Sequence, residues 1–536
     1  MSHGLMATMM DVPLTIDLIA DRAEKWMRNV EVVSRRADKS IARTTYGKVV
    51  ERARRLARAL VNAGIKPGDR VATLMWNHAE HLETYFGIPL AGGVLHTLNL
   101  RLSVEDIAYI ANDAGDRFLI VDEVLTGMSD KLVAAGGRFE KIIVVGRDGA
   151  DGYDAFLETA KADTPLPALS ERDPFGICYT SGTTGKPKGV VYSHRSTMLH
   201  ALVAALPDSL NLSRADTLLP VVPMFHVNAW GLPFACALVG AKLVMPGPHL
   251  DPPSLLDLFV GERVTIGAGV PTIWIGIREA LDANPGMWKL QPNVTMVVGG
   301  SAAPEQLVRD FDRLGLRLLH AWGMTETSPI GLVSRVPPHL RDADENTRYK
   351  LRAKQGVPPP LVDVAVRNDA GEVPADDRTS GELMVRGPWI AGAYMKGATP
   401  ERWTSDGWFR TGDVAKVDAH GFVQLTDRVA DLIKSGGEWI ASQEIENVLM
   451  GHPSVKEAAV VGVPHPKWSE RPLAVVVLKP GLEATADELK AYVGQRFPKY
   501  WIPDAVVFSD AIPRTSAGKF KKTELRETHR SFYTAK

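Results

Sequence analysis

The sequence predicts an α/β protein with a large N-terminal domain of layered α/β subdomains plus a β-rich subdomain, and a small α+β C-terminal domain. Its 536 residues exceed the length that one hydrophobic core usually serves. Amphipathic helical segments alternate with short apolar runs along most of the chain, which is typical of layered, largely parallel sheets. After about residue 354 the pattern changes to short β-rich pieces separated by Gly, Pro and Asp.

Helix and strand signals follow one another along the N-terminal part. Residues 46–63 place apolar side chains on one helical face, and Gly64 ends the pattern. Apolar runs indicate buried strands at 70–75, 118–121, 141–145, 217–222, 242–245, 295–299 and 317–320. Shorter strands are expected in the β-rich part at 362–367 and 381–386.

The segment after about Arg428 has the signals of a separate domain. Ser442 is expected to cap a helix, and strands are expected at 458–463 and 474–478. A second helix begins with the capping box Thr485-Ala-Asp-Glu488 and ends before Pro498. We therefore expect an N-terminal domain of residues 1–428 and a C-terminal domain of residues 429–536.

The composition argues against several classes of protein. The 62 Lys and Arg residues nearly balance the 63 Asp and Glu residues, so no nucleic-acid partner is expected. Two cysteines, Cys178 and Cys236, cannot form a disulfide framework or a cysteine-based zinc site. The N-terminus lacks the basic region of a signal peptide, and no apolar run reaches the ~20 residues of a membrane span. The sequence therefore predicts a soluble, cytoplasmic protein.

The strongest local motif is the loop Tyr179-Thr-Ser-Gly-Thr-Thr-Gly-Lys-Pro-Lys-Gly189. Its glycines, hydroxyls and lysines offer backbone N–H groups and positive charge to a polyphosphate. It differs from the P-loop of kinases and GTPases, because Thr180 stands where that motif has its first Gly and Pro187 where it has Ser or Thr. The loop therefore indicates a phosphate-binding site of another kind.

More motifs follow this loop along nearly the whole chain. They are Pro223-Met-Phe-His226, Gly299-Gly-Ser-Ala-Ala-Pro304, Trp322-Gly-Met-Thr-Glu-Thr327, Gly381-Glu382, Trp408-Phe-Arg-Thr-Gly-Asp413, Asp427-Arg428, Lys434-Ser-Gly-Gly-Glu438 and Pro513-Arg-Thr-Ser-Ala-Gly-Lys519. In this order they resemble the motifs of the acyl-adenylate-forming superfamily, which includes acyl-CoA synthetases, peptide-synthetase adenylation domains and beetle luciferases. The resemblance implies an acid–CoA ligase that uses ATP, Mg²⁺ and CoA, forms an acyl-adenylate and is a homodimer.

The resemblance also implies roles for the groups that act on the phosphates. Thr325 contacts the α-phosphate, Glu326 ligates Mg²⁺, and Thr184 assists at the phosphates and the metal. Lys519 bridges the carboxylate and the α-phosphate while pyrophosphate leaves. Positive charge and a metal are what the step requires, because it brings two anions together.

The nucleotide and CoA sites follow from the same resemblance. Asp413 accepts from both ribose hydroxyls, and Arg428 donates to the same sugar. The C-terminal domain is mobile and turns about a hinge near 429–431, which withdraws Lys519 and brings a glycine-rich strand to the thiol. The expected nucleotide and CoA residues are Thr180, Ser181, Gly182, Thr183, Thr184, Gly185, Lys186, Gly300, Ser301, Ala302, Ala321, Trp322, Gly323, Met324, Thr325, Asp413, Arg428, Lys434, Gly436, Gly437, Glu438 and Trp439, the last at a position where the family often has Asn.

The acyl pocket is expected around His226, Trp230, Gly299, Gly323 and Pro329. Trp230 follows His226 by four residues, which on a helix would place both on one side. Gly323 stands where acetate-specific relatives have Trp, so we expect a floor open beyond two carbons, with Trp230 shortening the pocket from another side. A short or medium apolar acid fits such a pocket.

Within the superfamily, the pattern most resembles bacterial medium-chain fatty-acyl-CoA synthetases, and especially 3-methylmercaptopropionate–CoA ligases. A thioether sits well against aromatic walls. The alternatives are an acyl-AMP ligase that transfers to a carrier protein, a luciferase-like oxygenase and a nucleotide-binding regulator with a dead site. Carrier-dependent ligases usually carry an insertion that blocks domain rotation, and residues 428–445 have none.

Overall fold

The structure of the protein is a computed structural model that describes residues 8–180, 186–436, 438–514 and 520–534. The strands in chain order are β1 (Glu31–Arg35), β2 (Ile41–Thr45), β3 (Arg70–Leu74), β4 (Val94–Thr97), β5 (Asp116–Asp122), β6 (Lys141–Val145), β7 (Pro174–Tyr179), β8 (Gly189–Ser193), β9 (Thr217–Pro220), β10 (Lys242–Met245), β11 (Ile266–Gly269), β12 (Thr295–Val298), β13 (Arg317–Gly323), β14 (Ile330–Val333), β15 (Asp363–Asn368), β16 (Gly371–Glu372), β17 (Gly381–Arg386), β18 (Phe409–Val417), β19 (Val423–Arg428), β20 (Ile433–Ser435), β21 (Glu438–Ile440), β22 (Val455–His465), β23 (Ser469–Leu478) and β24 (Ala505–Phe508).

The helices in chain order are α1 (Ile16–Trp26), α2 (Tyr46–Asn62), α3 (Ala79–Leu90), α4 (Val104–Ala114), α5 (Thr126–Ala134), α6 (Tyr153–Glu158), α7 (His194–Ala205), the single turn α8 (Val227–Trp230), α9 (Leu232–Val239), α10 (Pro252–Gly261), α11 (Pro271–Ala283), α12 (Glu305–Arg313), α13 (Glu345–Ala353), α14 (Ser442–Met450), α15 (Ala486–Gly494) and α16 (Lys522–Thr528). Across the described ranges, no helix has the length and apolarity needed to cross a lipid bilayer.

Two largely parallel sheets form the N-terminal part, as predicted. One runs β14-β13-β12-β11-β9-β10-β1-β2 and the other β6-β5-β3-β4-β7-β8. Neighbouring strands are parallel except for the pairs β1–β2, β13–β14 and β7–β8. Buried side chains from both sheets and from α1, α2, α3, α7 and α9 form one hydrophobic cluster, which joins the two layers.

The strands predicted for this part are confirmed to within a few residues. The helix predicted at 46–63 is α2. Thr45 caps it, because its side-chain oxygen accepts from the N–H of Lys48. Gly64 adopts a φ of 92°, a left-handed conformation that ends the helix and that glycine takes at little cost.

A third sheet confirms the β-rich region. It runs β16-β15-β17-β18-β19, and all of its neighbouring strands are antiparallel. Asp413 on β18 pairs in register with Arg428 at the end of β19. Strand pairing therefore brings the two residues expected at the ribose side by side.

The smaller C-terminal part is α+β, as predicted. Its sheet runs β21-β20-β23-β22, and β24 adds to β23 in parallel. Residues of α14 and α15 pack in one hydrophobic cluster with this sheet, and a residue of α16 packs in a second. Thr485 and Glu488 form the predicted capping box of α15.

The expectation that Ser442 caps a helix is wrong. Ser442 is the first residue of α14, and Ala441 occupies the capping position without a side-chain hydrogen bond. The carboxylate of Asp427, on β19, accepts instead from both the N–H and the hydroxyl of Ser442. The N–H group at the start of α14 is thus hydrogen-bonded by a residue that precedes the expected hinge.

The expectation that Trp230 follows His226 along a right-handed helix is also wrong. All four residues of α8 have φ between 46° and 60°, so this turn is left-handed. Such a conformation costs roughly 1–2 kcal/mol per non-glycine residue and persists only where other contacts impose it. Here the side-chain oxygen of Asn228 lies within 3.4 Å of the Thr97 hydroxyl and the Cys178 thiol.

Candidate active site

The candidate site lies where the strands of the larger sheet end. The parallel strands β9, β12 and β13 deliver His226, Gly299 and Thr325 beyond their carboxyl ends. Ligands of open α/β sheets bind at this edge. These residues line a cavity of about 150 Å³, together with Lys186 and Arg428.

A 3₁₀ turn after β13 holds the two residues expected at the phosphates. Thr325 and Glu326 are buried. The hydroxyl of Tyr192 donates to the carbonyl of Thr325 at 2.8 Å, and the N–H of Ala391 donates to the carbonyl of Glu326 at 2.8 Å. The hydroxyl of Tyr394 donates to Oε1 of Glu326. Backbone and carboxylate are therefore both fixed before any ligand binds.

The expected ribose site is a preformed ion pair. Nε of Arg428 lies 3.3 Å from Oδ1 of Asp413, and Nε1 of Trp322 donates to Oδ2 at 3.0 Å. Asp413 is the main cause that raises the pKa of Arg428, so the guanidinium stays charged. Each carboxylate oxygen has a second lone pair, so Asp413 can still accept from two ribose hydroxyls.

A second, larger cavity of about 1010 Å³ is lined by both members of the ribose pair. Ser301 and Ala302 line it, and Gly300 lines both cavities. Arg514 and Phe520 line it from the C-terminal part. The predicted residues Ser181, Gly182, Thr183, Thr184, Gly185, Gly437 and Lys519 lie outside the described residues.

The residues expected at CoA are not brought to either cavity. Lys434, Gly436, Glu438 and Trp439 are absent from both linings. Trp439 is 54% exposed, and Nζ of Lys434 lies 5.5 Å from the centre of its indole ring. In this arrangement these four residues, on or between β20 and β21, line neither cavity.

Trp230 lines the smaller cavity, together with the apolar residues Leu210, Val270 and Ile330. A side chain on Gly299 would meet the indole of Trp230 at 3.1 Å, so the indole packs directly on that glycine. The cavity thus has one aromatic wall, at the residue expected to limit the acyl pocket.

The glycine at position 323 is explained by the neighbouring main chain and not, as expected, by an open pocket floor. A Cβ at this position would overlap the carbonyl oxygen of Pro329. The glycine is therefore required because the main chain passes close by, which is a common reason for glycine in tight packing. Gly323 and Pro329 both line the cavity.

Lys188, Tyr394 and Arg402 are among the cavity residues that were not predicted from the sequence. Lys188 is the second lysine of the phosphate-loop motif, and its Nζ lies 5.4 Å from the centre of the Tyr394 ring. Tyr394 and Arg402 lie outside the quoted motifs, and Nε of Arg402 donates to the Arg410 carbonyl at 2.7 Å. Lys188 could be found from the motif. Tyr394 and Arg402 could not, because they lie outside the motifs and reach the cavity only in the folded chain.

The donor set at Glu326 suits Mg²⁺ that is bound mainly through a nucleotide. Mg²⁺ usually takes one or two carboxylates, substrate phosphates and water. In the described part of the chain, Oε1 of Glu326 is occupied by Tyr394 and no hydrogen bond reaches Oε2. No group of three acidic, histidine or cysteine ligands occurs among the described residues, so an all-protein metal cage is absent there.

Comparison with protein families agrees with this geometry. A model described as AMP-binding enzyme matches residues 19–395, and one described as AMP-binding enzyme C-terminal domain matches residues 444–519. The chain belongs to the AMP-binding enzyme family. The resemblance drawn from the sequence motifs is thus confirmed.

Relatives of this AMP-binding enzyme extend along its whole length. It is 48% identical to a long-chain-fatty-acid–CoA ligase of Thermus thermophilus, over 99% of this chain and 98% of that one. It is 41% identical to a medium-chain-fatty-acid–CoA ligase of Ectopseudomonas oleovorans, over 98% of each. It is 42% identical to a 3-methylmercaptopropionyl-CoA ligase of Ruegeria pomeroyi, over 99% of this chain and 100% of that one.

A solved structure shows the same architecture. The ATP-bound MatB from Rhodopseudomonas palustris superposes with a TM-score of 0.82 at 26% identity, over 97% of this chain and 100% of that one. The predicted fold, a large N-terminal region followed by a small C-terminal α+β region, is therefore confirmed.

Proposed function

We infer that this AMP-binding enzyme is an acid–CoA ligase, which converts a carboxylic acid, ATP and CoA into acyl-CoA, AMP and pyrophosphate. The observation that carries the inference is one cavity that is lined both by the apolar Trp230 and Ile330 and by the polar Thr325, Glu326 and Arg428. It can hold an acid with its carboxylate beside the α-phosphate. The curated relatives are CoA ligases over their full lengths.

In the first half-reaction, an oxygen of the acid bonds to the α-phosphorus of ATP, and the bond to the bridging oxygen breaks to release pyrophosphate. Thr325, Lys186 and Lys188 supply donors and positive charge at the phosphates. Asp413 and Arg428 hold the ribose, which fixes the α-phosphorus relative to the acid. Bound at Glu326, Mg²⁺ supplies further charge neutralisation. Lys519 is proposed to neutralise the same oxygens.

In the second half-reaction, the CoA sulfur bonds to the acyl carbon, AMP leaves with the ester oxygen, and the thiol proton passes to solvent. We propose that the C-terminal domain turns about residues 429–431 to present Lys434, Gly436, Glu438 and Trp439. Their position away from both cavities supports a movement of this kind. The proposed boundary lies between residues 428 and 429.

We propose short or medium acids as substrates, with 3-methylmercaptopropionate as a specific candidate. The cavity of about 150 Å³ has to hold the carboxylate beside the α-phosphate as well as the acyl tail, which favours a short tail. The indole of Trp230 and the apolar lining favour an uncharged tail over a second carboxylate. The alternative is transfer of the acyl group to a carrier protein, and it would use the same adenylation site.

Acid-dependent AMP release with ATP, Mg²⁺ and CoA tests the function. The panel contains straight-chain acids from acetate to dodecanoate, aryl acids and 3-methylmercaptopropionate. We expect CoA-dependent turnover with the highest kcat/KM among acids of about four to eight carbons or the thioether acid. Acid-dependent ATP–pyrophosphate exchange without CoA turnover would instead indicate the carrier-protein alternative, and a maximum at dodecanoate would refute the proposed chain length.

A homodimer and a cytoplasmic location are also proposed. The first rests on the resemblance to the superfamily, and the second on the balanced charge and the two unpaired, buried cysteines. Light scattering on the purified protein measures the first, and fractionation of the source cells measures the second.

A further inference from the structure

Tyr394 lies in a segment that is tied at several points to the turn that holds Glu326. The hydroxyl of Ser328 donates to the carbonyl of Trp389 at 2.8 Å, and the indole N–H of Trp389 donates to the carbonyl of Ile330 at 2.9 Å. The N–H of Ala391 donates to the carbonyl of Glu326. The backbone on both sides of the contact is therefore fixed.

The ring of Tyr394 is fixed as well. It is 5% exposed, and the ring of Trp403 meets it edge-on with centres 5.2 Å apart. The indole N–H of Trp403 donates to the Ala391 carbonyl at 2.7 Å, which closes a loop around the tyrosine. A phenol held in this way can occupy one position only, and its hydroxyl there meets Oε1 of Glu326.

The same ring also contacts the phosphate loop. Nζ of Lys188 lies 5.4 Å from the ring centre, a distance at which a cation is attracted to the face of an aromatic ring. Tyr394 therefore touches both the carboxylate expected at the metal and a lysine expected at the phosphates.

We propose that Tyr394 is a positioning residue that makes Glu326 a one-oxygen ligand and thereby favours Mg²⁺ over Ca²⁺. The phenol takes one lone pair of Oε1 and orients the carboxylate, so Oε2 is the oxygen that keeps both lone pairs for a cation. Mg²⁺ demands near-octahedral geometry and usually takes single oxygens, whereas Ca²⁺ accepts bidentate carboxylates at longer distances. This inference rests on the proposed function, because it assumes a metal–nucleotide complex at Glu326.

Removing the phenol oxygen tests the proposal through metal binding rather than turnover. Mn²⁺ bound to the enzyme with ATP, without acid, is followed by electron paramagnetic resonance while Mg²⁺ or Ca²⁺ displaces it. In Tyr394→Phe, we expect the ratio of the Ca²⁺ to the Mg²⁺ concentration for half-displacement to fall about 10-fold, the size typical for loss of a partner that orients a ligand. This ratio does not depend on how the variant binds Mn²⁺, so it measures the preference for Mg²⁺ over Ca²⁺ directly.

Tyr46→Phe is the matched control. The hydroxyl of Tyr46 is also buried and donates to the carbonyl of Ala241 at 2.8 Å, in the hydrophobic cluster that joins the two N-terminal sheets. This variant loses the same atom and a similar hydrogen bond, so it reports any general loss of stability. It should leave both displacement curves unchanged.

Two results would overturn the proposal and are separable from failure of the proposed function. An unchanged ratio of Mg²⁺ to Ca²⁺ displacement in Tyr394→Phe would show that the phenol only packs. A Glu326→Gln variant with the same displacement curve as the wild-type enzyme would show that the metal is held elsewhere. The proposed function instead fails if the wild-type enzyme shows no acid-dependent AMP release that requires CoA, a result that the metal-displacement assay, run without acid, does not depend on.

Discussion

Trp230 lines the smaller cavity while its own backbone is left-handed, with a φ of 60°. Trp230→Gly should therefore lengthen the pocket and relieve backbone strain at the same position. Each additional buried methylene is worth about 0.8 kcal/mol, so two or three should raise kcat/KM for decanoate relative to butyrate by about 10-fold or more. Steady-state kinetics across the straight-chain acids measure this ratio.

The KM for ATP is the internal control for this variant, because the nucleotide is expected to bind at the ribose pair Asp413–Arg428 and not at Trp230. An equal fall of kcat/KM for every acid would mean that the indole supports the fold rather than the length of the pocket.

Residues with a fixed chemical role could be predicted from the sequence, and residues that depend on packing could not. Thr325, Asp413 and Arg428 stand in motifs, and the structure brings them around the cavities. Gly323 was misread, since its reason is the nearby Pro329 carbonyl. Tyr394 was missed, because its partner Glu326 is 68 residues away in the chain.

At the scale of elements, sequence signals predicted the helix caps correctly where the two residues that interact are close in the chain. Thr485 and Glu488 are three residues apart and form the predicted cap. Ser442 carries a similar signal, yet Asp427, from a preceding strand, takes over its hydroxyl. The left-handed turn of α8 is imposed by Thr97 and Cys178 on distant strands, so no periodicity could reveal it.

A buried charged histidine joins the two parallel sheets at the start of α3. Nε2 of His78 lies 2.7 Å from Asp122 at the end of β5, and Nδ1 lies 3.0 Å from Glu80. Glu80 in turn pairs with Arg36, just beyond β1 of the other sheet. Burial alone would lower the pKa of His78, but the two carboxylates more than offset it and raise the pKa to about 10.

This network predicts a pH-dependent contribution to stability. The folded pKa of His78 lies above its ordinary value of 6.5, so the contribution is complete below about pH 6.5 and is lost as the pH rises towards 10. His78→Gln should lower Tm clearly at pH 6, and the deficit should shrink by pH 9.5. Calorimetric scans at both values measure it, with the exposed His339→Gln as control. A deficit that is independent of pH would contradict the charged state of His78.

At the scale of the whole molecule, the C-terminal part has two segments that are expected at the active site, and the two differ in whether they line a cavity. Arg514 and Phe520, which bracket the stretch containing Lys519, line the larger cavity. Lys434 and Trp439 lie away from it. The carboxylate of Asp427 bonds to Ser442 across the proposed hinge, so a large rotation would have to break that contact. The arrangement therefore fits the adenylate-forming step.

Two lysine variants test whether the faces serve separate half-reactions. Lys519→Ala should reduce acid-dependent ATP–pyrophosphate exchange by about 100-fold or more, the usual size for loss of one group that stabilises developing charge. It should leave thioester formation from supplied acyl-adenylate within a few-fold of wild type. Lys434→Ala should show the reverse pattern, because Lys434 is expected near the thiol and lies outside both cavities here. If each variant slowed both half-reactions equally, both lysines would act in a single arrangement of the domains. That result would contradict the proposed rotation about residues 429–431.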